Sequence, residues 1–66
     1  MGYKIREVRE AMQMSQEELS KKAGVSRAII SGIESGRSEN VTIKTLKKIA
    51  SALNVGLQDI FFAESA

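Results

Sequence analysis

Sixty-six residues with a formal net charge of +2, no cysteine and no histidine leave room for one domain, a typical one needing on the order of 100 residues, and exclude a large pocketed enzyme, a disulfide framework and the common structural zinc sites. The same composition removes the usual general base and every thiol nucleophile, so no catalytic residue, metal or cofactor is expected. No apolar run approaches the roughly 18 residues that cross a bilayer, and the first residues lack the regions of a signal peptide, so the chain is expected to be soluble and cytoplasmic, with no membrane partner.

Apolar spacing is helical almost throughout, with no sustained alternation of period two to support a sheet. Ile5, Val8 and Met12 recur at helical intervals among Lys4, Arg6, Glu7 and Arg9, which predicts a first amphipathic helix over about 3–13. Ser15 followed by Glu18 reads as a capping box, so a second helix starts at Gln16. Leu19 and Ala23 form its inner stripe, and Gly24 ends it because glycine enters the left-handed region without a Cβ penalty. Ser26 caps a third helix from Arg27 to about Ser35, with Ile30 and Ile33 inward and Gly36 as terminator. The stretch 37–40 holds no apolar residue and reads as a loop, with Val41 anchoring its end in the core. Thr42 caps a fourth helix, which carries Ile43, Leu46, Ile49, Ala50 and Leu53 on one face and Lys44, Lys47, Lys48 and Ser51 on the other. Asn54 and Gly56 mark its stop. A short fifth helix over 57–62 closes the core with Leu57, Ile60 and one of Phe61 and Phe62, and residues 63–66 fray. Met12 and Met14 are expected in the core. The expectation is one all-α domain spanning 1–66, without repeat or linker.

Charge is distributed unevenly: residues 1–19 carry a net −1, residues 20–48 a net +5 and residues 49–66 a net −2. A basic middle set among apolar residues suits a polyanion partner, although an ordinary solvated lysine surface has the same pattern. The span from Gln16 to Gly36 is more informative. Two helices joined by a tight turn with a glycine form the geometry in which the second helix projects far enough to enter the major groove of DNA. Small Ser20 and Ala23 let the helices cross closely and Gly24 makes the turn. Val25, Ile30 and Ile33 hold the second helix to the core, while Ser26, Arg27, Ala28, Ser31 and Gly32 face outward. Ile29 stands at the core rim or contacts DNA.

The residues Ile5-Arg6-Glu7-Val8-Arg9-Glu10, Ser15-Gln16-Glu17-Glu18-Leu19, Gly24-Val25-Ser26-Arg27, Ile30-Ser31, Ile33-Glu34-Ser35-Gly36 and Thr42 through Leu53 together resemble the lambda-repressor-like (Cro, or XRE) helix-turn-helix family over about residues 3–62. The resemblance implies a compact five-helix DNA-binding domain with its helix-turn-helix motif at about 16–35, and double-stranded DNA as the partner. It assigns Gln16 to a DNA phosphate and places Ser26, Arg37 and Lys44 beside the sugar-phosphate backbone. It puts Arg27, Ala28, Ser31 and Gly32 on the base-reading face. Arg27 can form two bonds to guanine or grip a phosphate, Ala28 can meet a thymine methyl and Ser31 accepts several partners. Gly32 departs from the larger polar residues common at that family position, which shifts specificity toward Arg27, Ser31 and DNA shape or brings the backbone close to DNA. The resemblance also pairs Arg9 with Glu34, and Gly24 is structural.

A single small domain reads only a few base pairs, so a homodimer on an inverted repeat is expected. The dense apolar run with Val55, Leu57, Ile60, Phe61 and Phe62 lacks basic residues and supplies a candidate dimer interface. The leading function is therefore sequence-specific regulation of transcription, most simply as a repressor or as a small controller that also activates. The alternative is an antitoxin-like module that holds another protein and binds DNA secondarily.

Overall fold

In the computed structural model, residues 3–37 and 41–60 are described. Four α-helices follow one another: α1 (Ile5–Ala11), α2 (Gln16–Ala23), α3 (Arg27–Ser35) and α4 (Ile43–Ala52), after which Leu57–Ile60 forms a 3₁₀ helix. The all-α class expected from the periodicity is observed.

Helix starts are set by local side chains. Ser15 Oγ accepts the Glu18 N–H at 3.0 Å while Glu18 Oε1 accepts the Ser15 N–H at 2.9 Å, which completes the capping box of α2. Ser26 Oγ accepts the Ile29 N–H and Thr42 Oγ1 accepts the Thr45 N–H, each at 3.1 Å, so α3 and α4 have the same kind of cap. Each such bond satisfies a backbone donor that has no partner inside the helix.

Helix ends share one device. A residue in the left-handed region follows each of the four helices: Gln13 (φ 55°), Gly24 (φ 68°), Gly36 (φ 80°) and Asn54 (φ 61°). The next N–H then turns back to a carbonyl of the last turn, as Met14 to Arg9, Val25 to Ser20, Arg37 to Gly32 and Val55 to Ala50, at 3.0–3.2 Å. Two of these stops are glycine and one is asparagine, the residue types that enter this region readily. Gln13 is neither. Replacing it with glycine is expected to raise stability by about 0.5–1 kcal/mol, since the left-handed strain is removed from an exposed site. Thermal or urea unfolding checks this, and an unchanged or lowered midpoint would contradict it.

The core draws on every element. Ile5, Leu19, Ile30, Leu46, Ile49, Leu53 and Ile60 are essentially inaccessible, with Met14, Ala23, Val25, Ile33 and Ala50 around them. Burying each large aliphatic side chain stabilises by about 1.5–3 kcal/mol, which is the main favourable term available to so short a chain.

Five expectations change. First, α1 is shorter than 3–13, because the Lys4 N–H donates to the Ile60 carbonyl at 2.7 Å at one end and Gln13 turns the chain at the other. Met12, expected in the core, is 43% exposed, since that turn sends Met14 inward in its place. Ile43 is 52% exposed: it occupies the first turn of α4, while Val41 before the cap and Leu46 one turn on supply the inward apolar groups. The expected fifth helix is the 3₁₀ segment Leu57–Ile60. Finally, Ile60 has no exposure at all, so it belongs to its own protomer's core and is not a surface residue for a dimer. Val55 and Leu57 are half-buried against that core. Phe61 and Phe62, the fraying of 63–66 and most of the 37–40 loop lie outside the described residues.

Candidate nucleic-acid interface

The turn between α2 and α3 is three residues, Gly24 to Ser26. Gly24 at φ 68° reverses the chain, and the Ser20 carbonyl accepts both the Gly24 N–H at 2.9 Å and the Val25 N–H at 3.2 Å. The Ser20 hydroxyl adds a bond to the Val25 carbonyl at 2.6 Å. Ser20 is thus more than a small residue at a crossing: its side chain and carbonyl together fasten the turn, a role its size alone did not reveal. Buried Val25, Ile30 and Ile33 then fix the roll of α3 about its axis.

With that roll fixed, the outward row of α3 follows. Arg27 and Ala28 are exposed, and Ser31 and Gly32 are half-buried one turn later. Ile29 is 44% exposed, so it lies on the surface side of the core rim. The Gly32 carbonyl accepts the Arg37 N–H and the Ser35 hydroxyl, which occupies that backbone in ending the helix. Ser26 is exposed and its oxygen caps α3. Arg37 is exposed, and its Nε donates to Ser35 Oγ at 3.1 Å. Lys44 is exposed in the first turn of α4.

Behind this surface Glu34 joins three elements. Its carboxylate accepts Arg9 Nε at 2.8 Å and Arg9 Nη2 at 3.1 Å, one guanidinium edge spanning both oxygens. Gln16 Nε2 donates to Glu34 Oε1 at 2.9 Å, and Arg6 Nε lies 3.6 Å from the same oxygen. Arg9 Nη1 reaches the Met14 carbonyl at 2.7 Å. The Glu34 side chain is wholly inaccessible and that of Arg9 is 11% exposed. Burial alone would push the Glu34 carboxyl up, yet the bonds from Arg9 and Gln16 and the nearby Arg6 charge hold it below the usual carboxylate range. The bond to Glu34 raises the Arg9 guanidinium against the opposing effect of its burial. The pair is therefore ionised on both sides, and it sets Gln16 at the start of α2 with its amide held in place.

The structure also gathers lysines that the sequence shows only as separate charges. Lys22 of α2 and Lys44, Lys47 and Lys48 of α4 line one open groove, with Ser51, Ala23 and Ala52 as its remaining walls. The spacing along α4 was visible in the sequence. The approach of Lys22 depends on the packing of α2 on α4.

The model of the Helix-turn-helix family matches residues 5–60. An HTH-type transcriptional regulator of Archaeoglobus fulgidus is 41% identical over 61 residues, covering 92% of this chain and 84% of that protein. Among solved structures, the restriction-modification controller protein C.AhdI from Aeromonas hydrophila superposes with a TM-score of 0.80 at 34% identity, over 85% of this chain and 83% of that one. The crystal structure of SinR, the master regulator for biofilm formation, in complex with DNA matches with a TM-score of 0.79 at 33% identity, over 83% of this chain and 87% of the other.

Proposed function

The chain belongs to the helix-turn-helix family of DNA-binding transcriptional regulators, and from that premise we propose that it is a repressor that binds an inverted-repeat operator as a homodimer, with α3 of each protomer in the major groove. The observation that carries this reading is the division of α3 into a buried side, Ile30 and Ile33, and a free side that begins with Arg27 and Ala28. A helix used only for packing has no need of an accessible arginine and a small residue side by side at its exposed start, whereas a groove reader does. In this reading Arg27 and Ala28 meet bases, Ser31 and Gly32 approach them, and exposed Ile29 lies at the edge of the contact. Gln16, Ser26, Arg37 and Lys44 meet the backbone and give the domain, 1–66, its register on the duplex.

Val55 and Leu57 are the described part of the proposed dimer patch; the sequence expectation adds Phe61 and Phe62, which lie outside the described residues. Two-fold pairing there sets the reading helices about 34 Å apart, one turn of B-form DNA. The test is selection from a random DNA pool with the purified chain, alongside sedimentation. The expected product is an inverted repeat with half-site centres about 10 base pairs apart, bound by a dimer, and a promoter carrying it is silenced when the protein is present. A single asymmetric site bound by a monomer would overturn the proposal. A stoichiometric partner protein holding the chain, with no preferred DNA sequence, would favour the protein-binding alternative.

A further inference from the structure

We propose that Arg6 of α1 is a phosphate-binding residue that works with Gln16 as a two-donor clamp on one DNA phosphate, with Glu34 as the fixed point that sets their spacing; the inference rests on the DNA-binding reading above.

Arg6 Nε and Gln16 Nε2 lie 3.6 Å and 2.9 Å from the same atom, Glu34 Oε1. The two donors are thereby held within about 6.5 Å of each other, the span over which one phosphate can accept from both through oxygens about 2.5 Å apart and bonds of about 2.8 Å. Glu34 cannot satisfy Arg6 itself. Its two oxygens already accept both Arg9 nitrogens and the Gln16 amide, and at 3.6 Å the Arg6 contact is electrostatic and not a hydrogen bond. The Arg6 side chain is 58% exposed, so its donors face solvent. A cation placed beside a polar amide, whose one ion-pair partner among the described residues is buried and already paired, is suited to an incoming anion. Arg6 and Gln16 come from different helices, ten positions apart in sequence, and their common attachment to Glu34 of α3 ties the phosphate contact to the helix proposed to read the bases.

The test uses the full chain and the operator recovered by selection. Arg6→Ala is expected to weaken operator and random duplex alike, on the order of fivefold, and to reduce the slope of log affinity against log salt by about 0.9 per protomer. The thermal midpoint should fall only slightly, by the loss of the 3.6 Å electrostatic contact to Glu34, and far less than in Glu34→Ala. Scanning each half-site with neutral methylphosphonates should then reveal one position whose neutralisation weakens the wild type but not Arg6→Ala, and the same position should lose its effect in Gln16→Ala. Arg6→Lys, which keeps the charge, should restore most of the salt slope. If the wild type binds its operator and Arg6→Ala retains both affinity and slope, or if its loss adds to that of every methylphosphonate, the inference is overturned while the DNA-binding reading stands. A wild-type chain that binds no duplex would instead overturn that reading.

Discussion

Glu34→Ala is expected to destabilise the fold by about 3–5 kcal/mol, a large fraction of what so short a chain can hold. The effect comes from what the substitution leaves behind. Arg9, 9% exposed, would keep its bond to the Met14 carbonyl and a 4.0 Å contact to exposed Glu10 but lose both bonds to the Glu34 carboxylate, leaving its charge poorly compensated in a nearly closed site. The exposed Glu17 makes a fair control. It lies 3.8 Å from Lys21 with 67% of its side chain accessible, and Glu17→Ala should change stability little. Chemical denaturation of Arg9→Ala, Glu34→Ala and the double variant should reveal strong coupling between the two sites, and additive losses would refute the pairing as a source of stability. The same pair predicts a pH dependence. The Glu34 carboxyl sits lower in the folded state than in the unfolded chain, so its contribution is complete above the unfolded glutamate value of about 4.3 and is lost as pH falls through the lower, folded value. Acid unfolding of the wild type should therefore be steep below that range. Glu34→Gln should start from lower stability and respond less.

The largest effect on binding should come from salt. A dimer neutralising on the order of six phosphates should lose about a thousandfold or more in affinity between about 50 and 200 mM salt, because each contact releases condensed counterions. The exposed cations on the proposed DNA face are Arg6, Arg27, Arg37 and Lys44, with the lysine groove between α2 and α4 adding to the field. A nearly flat response in a filter-binding or anisotropy titration would contradict a phosphate-based interface. Two substitutions separate the roles within the response. Lys44→Ala should weaken all sequences alike and reduce the slope. Arg27→Ala should lower affinity for the preferred site by about 1–3 kcal/mol and relax one base position. Equal loss on random DNA would move Arg27 to the backbone.

Most of what is local in this fold was legible in the sequence. Ser15 with Glu18, Ser26 and Thr42 each announce a helix start, and Gly24, Gly36 and Asn54 each announce an end, because those bonds join residues within a few positions of one another. The aliphatic spacing likewise settled the inner faces of α2 and α3, and with them the roll of α3 that leaves Arg27 and Ala28 free. Where a residue lacked a local signature, the chain neighbours could not decide. Gln13 has none of the composition of a left-handed stop. It takes that conformation because Met14 must enter the core, and this leaves Met12 outside. Ile43 and Ile60 follow the helical pattern equally well, yet one is half exposed and the other is fully enclosed, its carbonyl accepting the Lys4 N–H from the far end of the chain.

Short-range patterns in the chain are enough for the all-α class, the caps of α2, α3 and α4 and the helix-turn-helix, whereas the fifth helix expected over 57–62 is a 3₁₀ segment over Leu57–Ile60. Tertiary structure alone decided which polar groups meet. Arg9 and Glu34 are 25 positions apart and Gln16 and Glu34 are 18 apart, and Lys22 reaches the α4 lysines only where α2 packs on that helix. Such meetings depend on how the four helices cross, which is set by side-chain packing over the whole core. A pattern confined to one helix contains the faces of that helix, but not the distance from one face to another.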